Sequence, residues 1–325
     1  MRCNYCEWRC ELSDGTYGVC RMLSCEKGEI KERFPNIWST FMVSRIESIP
    51  FYHVYPGSRA LCIGTMGCNF RCRYCVNGYL VLEDPGKLAE RLFLLTPEEM
   101  TAMAGKLECD EIVFNINEPT VSVPTLYRLA QAAGQAHIPM GCLTNAYATE
   151  VTTEVLAGIF SFFNIGLKGF SASFHRRYIG IPDPAPIFRN IKRLAQIRPI
   201  EITTPVIQGV NDHEMDDIAD FIAEIDPLIP WHVFRLLPEH EMKTENYPRI
   251  ADIDQRLTSI RERLNHVYFH NFVGSDWVNT QCPNCRTDVV ERFSLGCGGD
   301  RLNHNWCIGS RCHRCGQEIR MLTGS

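Results

Sequence analysis

Short apolar runs alternate with longer amphipathic stretches from position 59 onward. The apolar runs are typical of buried strands and cover 60–64, 111–116, 140–143, 162–167, 200–206, 232–236 and 266–269. The amphipathic stretches predict helices near 96–107, 125–136, 187–196, 214–225 and 253–264. The first of these opens on Thr96-Pro97-Glu98-Glu99, a capping box with proline at the first helical position.

This alternation of strands and helices predicts an α/β fold with a mainly parallel sheet and helical crossovers. Six or seven such units are fewer than the eight of a closed TIM barrel. We therefore expect a partial, open (β/α)6 TIM-like barrel over 31–275, with a doubly wound flat sheet as the alternative. A cysteine-rich metal-binding segment, 1–30, is expected before the barrel. A zinc-ribbon-like or rubredoxin-like module, 276–325, is expected after it.

Length, charge and hydropathy indicate how many domains the chain can form and which kinds of partner it can bind. A chain of 325 residues can hold one large domain with small appendages, and a formal net charge of -5 provides no basic surface for nucleic acid. No apolar run approaches the roughly 20 residues of a membrane span, and the start Met1-Arg-Cys-Asn-Tyr-Cys lacks the apolar region of a signal peptide. The 17 cysteines fall in clusters with metal-ligand spacing. A cytoplasmic protein of a reduced, anaerobic cell is expected, without nucleic-acid or membrane partners.

Cysteines concentrate at both ends of the chain. Cys3, Cys6, Cys10 and Cys20 could supply four ligands to zinc or to an accessory iron–sulfur cluster, and the spacing leaves both open. Near the other end, two C-x2-C pairs predict a four-thiolate site for zinc, with a rubredoxin-like single iron as the alternative; they are Cys282 with Cys285 and Cys312 with Cys315. The residues between these pairs, Cys297, His304 and Cys307, are expected to be spectators.

The most informative motif is Cys68-x3-Cys72-x2-Cys75, directly after the strand predicted at 60–64. Three thiolates leave one iron of a [4Fe–4S] cluster without a protein ligand. An open coordination position indicates chemistry, whereas a closed one indicates structure. A structural zinc is the alternative.

Polar residues follow three later strands at the points where those strands are expected to end. In α/β sheets ligands collect at the carboxyl ends of the strands. Asn117-Glu118-Pro119 follows one strand, Thr144-Asn145 the next and Lys168 the third. Glu118 could accept hydrogen bonds from an ammonium group, and Lys168 could pair with a carboxylate. A helix-capping glutamate and an exposed loop lysine are the alternatives.

Several stretches resemble the radical S-adenosylmethionine (SAM) enzymes related to pyruvate formate-lyase activating enzyme. They are 52–59, 64–72, 117–120, 143–145, 167–170, 209–212 and 230–232. The resemblance is greatest to the AmmeMemoRadiSam-system enzymes, which match the chain from end to end, including the N-terminal cysteines and the run 279–285.

This resemblance implies roles for named residues. Cys68, Cys72 and Cys75 would bind the cluster, with SAM as the ligand of the open iron. Tyr74 would lie along the adenine. The amino group would be met by Asn117, Glu118 and Pro119, with Thr144 and Asn145 beside them. Lys168 would lie near the carboxylate. His240 is the candidate for the ribose and His232 the competing choice. Leu143 and Gly166 stand where the activating enzymes carry acidic residues, which puts their monovalent-cation site in doubt.

The function expected from the resemblance is that of an activating-enzyme-like oxidoreductase. It would cleave SAM reductively to a 5′-deoxyadenosyl radical that takes hydrogen from a protein or peptide, to form a glycyl radical or another modification. A one-electron donor such as ferredoxin or flavodoxin would be its partner. The alternatives are radical chemistry on a small metabolite and an iron–sulfur electron carrier or scaffold.

Overall fold

The computed structural model describes residues 1–323, which begin with a cysteine-rich segment and four short strands. These strands are β1 (Leu23–Glu26), β2 (Glu29–Glu32), β3 (Ile37–Trp38) and β4 (Thr40–Arg45). β1 and β2 pair as an antiparallel hairpin. Its turn consists of Lys27 and Gly28, which both have positive φ angles, 53° and 77°. Turns of this kind match the twist of the strands they join.

The central part of the chain alternates strands and helices, as the sequence predicts. Its elements are β5 (Arg59–Gly64), α1 (Gly78–Val81), α2 (Pro85–Ala89), β6 (Phe93–Leu94), α3 (Pro97–Lys106), β7 (Glu111–Phe114), α4 (Val123–Gln135), β8 (Met140–Thr144), α5 (Glu150–Ile159), β9 (Phe162–Gly166), α6 (Ala172–Phe174), α7 (Ala185–Ile197), β10 (Ile200–Val206), α8 (Met215–Ile225), β11 (Trp231–Arg235), α9 (Ile250–Ile260) and β12 (Val267–His270). A single π-type turn, His175–Ile179, follows α6.

One eight-stranded sheet organises this region, in the order β12-β11-β10-β9-β8-β7-β5-β4. All neighbours are parallel except β4, which runs antiparallel to β5 at one edge. Six helical crossovers, α3, α4, α5, α7, α8 and α9, join the seven parallel strands. The order has two ends, so the sheet does not close on itself. The expected partial, open TIM-like barrel is confirmed.

Several elements were not predicted, among them α5 and β4. The sequence assigned no helix between the strands at 140–143 and 162–167, but α5 fills that connection and buries Leu156 and Ile159. The sequence also did not predict β4, in which Met42 and Val43 are exposed. The capping box at α3 is present: the Glu99 amide donates to Thr96 Oγ1 at 3.2 Å, and the Thr96 amide donates to Glu99 Oε2 at 2.8 Å.

The main hydrophobic core lies between the sheet and its covering helices. β7 and β9 are buried along their whole length, as expected of strands covered on both faces. The barrel interior also holds polar side chains that satisfy one another. Thr203 Oγ1 donates to Asn164 Oδ1 at 2.7 Å, and Asn164 Nδ2 donates to the Pro50 carbonyl at 2.7 Å.

The last part of the chain forms a small three-stranded antiparallel sheet of β13 (Thr280–Gln281), β14 (Asp288–Phe293) and β15 (Arg301–Asn305). Arg292 anchors it: this buried guanidinium donates to the carbonyls of Tyr52 and Val278 at 2.7 and 3.2 Å. Glu47 lies 3.9 Å from it. The expected module 276–325 includes positions 324 and 325, which lie outside the described residues. Within 1–323, no helix has the length and apolar character needed to cross a membrane.

Candidate active site

A cavity of about 480 Å³ opens at the carboxyl ends of the parallel strands. Its walls come from the loop after β5, from the ends of β7 to β12 and from the loop between β14 and β15. Most of the site residues expected from the sequence line this one cavity: Cys68, Cys72, Tyr74, Cys75, Asn117, Glu118, Thr144, Asn145 and Lys168. Residues that are far apart in the chain therefore line one cavity.

The loop that carries Cys68, Cys72 and Cys75, which we call the cluster loop (65–77), is pinned by backbone hydrogen bonds. The amides of Arg71 and Arg73 each donate at 2.9 Å, to the carbonyls of Ile179 and Tyr178 in the π-type turn. The Phe70 amide donates to the Cys68 sulfur at 3.3 Å. These hydrogen bonds hold the loop against the π-type turn.

The electrostatic surroundings of the three thiols suit metal ligation. Burial and, to a smaller extent, the charge of Cys75 raise the pKa of Cys72 to about 12 against the lowering effect of the Lys168 ammonium. Burial also raises the pKa of Cys75, and the Asn77 amide and Lys168 oppose that rise. Free thiols in such surroundings keep their protons at neutral pH, and a metal must displace those protons to bind. Such protonated thiols are poor nucleophiles at neutral pH.

The spacing of the thiols fits a cluster better than a single ion. In residues 1–323, the only group of three or more potential ligand side chains with ligand atoms within 4.8 Å of one another is the C-terminal cysteine set. Cys68, Cys72 and Cys75 are more widely spread. A [4Fe–4S] cluster requires wider spacing because each thiolate binds a different iron. The buried Tyr74 hydroxyl beside them finds no hydrogen-bond partner in the described part of the chain.

Asn117 and Glu118 tie the strand ends to the cluster loop. Asn117 accepts from the Thr65 amide at 3.0 Å and donates to the carbonyls of Met66 and Gly67 at 3.0 Å. Glu118 accepts from the Asn145 amide at 2.7 Å and from the Thr144 hydroxyl at 3.0 Å. Burial raises the pKa of Glu118, and these donors oppose the rise. The carboxylate is therefore oriented before a ligand arrives.

Lys168 follows β9 and turns its side chain back over Gly166. A Cβ at Gly166 would lie 2.6 Å from Lys168 Nζ, so the absence of a side chain at Gly166 makes room for the ammonium. This close approach gives a physical reason for glycine at the position where the activating enzymes carry an acidic residue. The ammonium is also the positive charge that lowers the pKa of the thiols Cys72 and Cys75.

Three expected residues lie outside the cavity wall. Pro119 opens a buried 3₁₀ turn behind the site. His240 packs over the start of α1, where a Cβ at Gly78 would lie 3.0 Å from its Nδ1. The competing residue His232 is fully buried in the barrel. Its Nε2 lies 2.5 Å from Glu201 Oε2.

The sequence did not predict one wall of the cavity. It is formed by His270 at the end of β12 and by Cys297 and Asp300 of the C-terminal module. His270 Nδ1 lies 2.7 Å from Asp300 Oδ2, and His270 Nε2 lies 2.9 Å from His232 Nδ1. The other Asp300 oxygen is buried and finds no hydrogen-bond partner within 1–323. The glycines around Cys297 were the available signal, because such a run lets backbone approach closely.

The four C-terminal cysteines form a closed set. The sulfurs of Cys282 and Cys315 are 3.6 Å apart, and those of Cys285 and Cys312 are 3.7 Å apart. Four thiolates around one ion at zinc–sulfur bond lengths of about 2.3 Å would be about 3.8 Å apart. The Gln317 amide lowers the pKa of Cys315 to about 6, so this thiol is ready to ligate. The set can hold one tetrahedral metal ion.

Cys297, His304 and Cys307 do not belong to this four-thiol group. Cys307 instead directs its thiol to the Val289 carbonyl at 3.9 Å, and His304 packs against Trp306 with ring centroids 3.7 Å apart. At the other end of the chain, Cys3, Cys10 and Cys20 pack with Leu12 and Leu23 in a small cluster of their own.

Comparison with known proteins gives the same picture. Residues 62–222 match the family described as Radical SAM superfamily. Uncharacterized protein MJ0808 of Methanocaldococcus jannaschii is 26% identical over 328 residues, which cover 99% of this chain and 96% of that protein. A probable GTP 3′,8-cyclase of Thermococcus kodakarensis is 23% identical, covering 66% of this chain and 71% of that protein.

Solved structures share the fold at low identity. Streptococcus suis SuiB, in a structure with bound S-adenosylmethionine, has a TM-score of 0.50 and 15% identity; the match covers 68% of this chain and 50% of SuiB. The chain thus spans about half the length of SuiB. Coproporphyrinogen III oxidase (HemN) from Escherichia coli, described as a radical SAM enzyme, has a TM-score of 0.51 and 15% identity, covering 75% of this chain and 62% of HemN. With its cysteine motif, partial barrel and family match, this chain belongs to the radical SAM superfamily.

Proposed function

We propose that this chain cleaves SAM reductively at a [4Fe–4S] cluster held by Cys68, Cys72 and Cys75, and takes hydrogen from a protein or peptide substrate. The observation that supports this most directly is the position of the three thiols on the wall of the strand-end cavity. When bound, the reduced cluster supplies the electron that converts SAM to a 5′-deoxyadenosyl radical. The protein residues provide binding, orientation and exclusion of water.

The residues around the thiols have the chemistry to orient SAM. Glu118 is a buried carboxylate held by donors from the next strand end, which suits it to receive the ammonium group. Lys168 places an ammonium on the cavity wall and would meet the carboxylate. Tyr74 offers a ring beside the cluster for the adenine, and a hydroxyl that still lacks a partner among the described residues. His240 remains the candidate for the ribose.

A peptide substrate is favoured by the cavity's open, apolar rim. Val76 lines the cavity and is 52% exposed, and Tyr79, on the following helix, is 67% exposed. SuiB, whose structure has also been solved with the precursor peptide SuiA, shares this barrel at 16% identity. Exposed apolar side chains at a cavity mouth can hold an extended peptide.

A small polar metabolite is the second candidate. The observation that favours it is Asp300, which is 4% exposed, lines the cavity and has an oxygen without a described partner. A buried carboxylate of this kind suits a hydroxyl or ammonium group of a bound molecule. A simple electron carrier would need neither this wall nor a three-thiolate loop.

The first experiment is anaerobic reconstitution with iron and sulfide, reduction by dithionite and quantification of 5′-deoxyadenosine. The triple variant Cys68→Ala/Cys72→Ala/Cys75→Ala should form none. Cys62→Ala is the matched control, because it removes a buried cysteine of β5 that lies outside the cavity. Product from wild type and Cys62→Ala alone supports the proposal. Iron-loaded wild type that forms no product contradicts it.

The class of substrate is tested with the same assay. Extract from the producing cells is divided into a dialysable and a retained fraction, and each is added to the loaded enzyme. Stimulation of 5′-deoxyadenosine formation by the retained fraction, lost after protease treatment, supports a protein or peptide. Stimulation by the dialysable fraction alone assigns a metabolite instead.

We further propose zinc at the C-terminal thiols, a ferredoxin or flavodoxin as electron donor and an anaerobic cytosol as the compartment. The 3.6 and 3.7 Å sulfur separations support a single tetrahedral ion there. The 17 cysteines are all free thiols, which suits a reducing environment. Metal analysis of protein purified without reconstitution distinguishes zinc from iron.

A further inference from the structure

The N-terminal segment folds back on itself, so that Cys3, Cys10 and Cys20 pack in one small cluster. The Cys3 amide donates to the Cys10 carbonyl at 2.9 Å. A Cβ at Gly18 would lie 3.2 Å from the Cys10 sulfur, so the chain passes close to that thiol. A segment with so small an apolar core is of the kind that a metal stabilises.

Backbone amides lie near these sulfurs. Burial raises the pKa of the Cys6 thiol to about 12 against the lowering effect of the Trp8 amide. Burial raises the pKa of Cys20 to about 11, and the amides of Met22 and Leu23 oppose the rise. Burial also raises the pKa of Cys3, and the Tyr5 amide opposes that rise. In each case an opposing amide is the one two positions further along the chain.

The same arrangement recurs at cysteines placed at the other two metal sites. Their donors are the amides two residues on, in the pairs Cys68 with Phe70, Cys75 with Asn77, Cys282 with Asn284, and Cys315 with Gln317. Cys109 and Cys307 differ, because their thiols donate to the carbonyls of Leu107 and Val289. An amide two residues on is thus common to cysteines of all three sites.

The spacing of the sulfurs distinguishes a cluster from a single ion. No three of the thiols Cys3, Cys6, Cys10 and Cys20 have their sulfurs within 4.8 Å of one another, whereas all four C-terminal sulfurs do. Zinc draws four thiolates to within about 3.8 Å of one another. An iron–sulfur cluster distributes its thiolates over several irons and keeps them further apart.

Asn69 connects this segment to the cluster loop. Its Nδ2 donates to the Tyr147 carbonyl at 3.5 Å, and the amide of Glu7, the residue after Cys6, donates to the same carbonyl at 3.2 Å. Asn69 Oδ1 lies 3.8 Å from the Cys68 sulfur, so this side chain lies between the cluster loop and the N-terminal segment. Trp8 Nε1 also donates to the Asn69 carbonyl at 2.8 Å. Contact through a single side chain is close enough for electron transfer between metal centres.

We propose that Cys3, Cys6, Cys10 and Cys20 hold a second iron–sulfur cluster, which passes electrons past Asn69 to the cluster at Cys68, Cys72 and Cys75. A low-potential one-electron donor reduces the N-terminal cluster, which is reoxidised as it reduces the second by one electron. The relay rests on the proposed function, but the N-terminal cluster itself does not.

The metal assignment is tested in the Cys68→Ala/Cys72→Ala/Cys75→Ala variant, which leaves the N-terminal segment intact. After reconstitution this protein should retain about four irons and four acid-labile sulfides per chain, with a cluster EPR signal on reduction. Adding Cys3→Ala and Cys6→Ala should remove the sulfide. Adding Cys25→Ala instead, a buried cysteine of the same segment, should not. Zinc without sulfide, or thiols without metal, overturns the assignment.

Sulfide is the decisive measurement because the C-terminal thiols can hold a single iron or zinc without it. The relay is tested in wild type by the EPR of the two reduced clusters. Their spectrum should be broadened by spin–spin coupling compared with the sum of the spectra of the two single-site variants. A simple sum overturns the relay. Failure of wild type to form 5′-deoxyadenosine would overturn the proposed function but leave the sulfide result intact.

Discussion

The clearance between Gly166 and Lys168 leads to a sharp prediction for SAM binding. In Gly166→Ala the new methyl group would lie 2.6 Å from Lys168 Nζ and 2.7 Å from Cε, and both atoms belong to the far end of a flexible side chain. The lysine head therefore moves and the backbone stays. We expect the free energy of unfolding to change by about 0.5 kcal/mol or less.

The expected loss is in affinity. If Lys168 pairs with the SAM carboxylate, displacing it removes a charge-assisted hydrogen bond of about 1.5–3 kcal/mol. This corresponds to SAM binding that is about 10- to 150-fold weaker. Equilibrium dialysis of SAM against the anaerobically reconstituted protein measures it, with thermal unfolding recorded on the same samples.

Three further variants make the interpretation specific. Lys168→Met should lose as much affinity as Gly166→Ala, and the double variant should lose no more, because both changes remove one contact. Gly158→Ala in α5 is the matched control, since a Cβ there meets nothing within 4 Å. Wild-type affinity in Gly166→Ala, or additive losses in the double variant, would refute the reasoning.

Three other predictions follow from buried groups. Burial raises the pKa of Glu111 from 4.5 to about 7. The protonated carboxyl therefore stabilises the fold below pH 4.5, and this stabilisation is lost as the pH rises to about 7. From pH 4.5 to about 7, the free energy of unfolding measured with urea should fall by up to about 3 kcal/mol more in the wild type than in Glu111→Gln. An equal decrease in the two proteins contradicts this. Arg292→Ala leaves the buried Glu47 without its cation and should lower the free energy of unfolding by about 3–5 kcal/mol. Adding Glu47→Gln should restore part of this loss. Equal stability of the single and double variants would argue against the pairing. Cys282→Ser should lose the C-terminal metal, measured by elemental analysis, with retention of the iron at the cluster loop, whereas concurrent loss of both would contradict two independent sites.

The parts of the fold that depend on local pattern could be predicted from the sequence. Buried strands appear as short apolar runs, and four consecutive residues, 96–99, predict the start of α3. The helix α5 was not predicted because β-branched residues of low helix propensity occupy its first turns; they are Val151, Thr152, Thr153 and Val155. Its packing through Leu156 and Ile159 overrides that propensity.

The cavity wall formed by His270 and Asp300 could not be predicted, because nothing local relates the end of β12 to the loop before β15. The sequence predicted Glu118 at a strand end, but not that Thr144 and Asn145 would hold its carboxylate. Such contacts join residues 26 and 27 positions apart through neighbouring strands. A single sequence shows which groups reach the sheet edge, and the register of the strands determines which of them touch.

The contact of the chain's last described residues with its early part has a consequence for biosynthesis. Val54 forms a parallel bridge with Leu322, and His53 Nδ1 lies 2.9 Å from the Arg320 carbonyl, 267 positions later in the sequence. This closure, and the nearby docking of Arg292 on Tyr52, must wait until the ribosome has made nearly all of these residues. A nascent chain therefore exposes its cluster-loop thiols in a barrel that lacks the Asp300 wall. Iron delivered during translation would meet an open-sided site, and iron delivered after release would have to enter through the finished mouth.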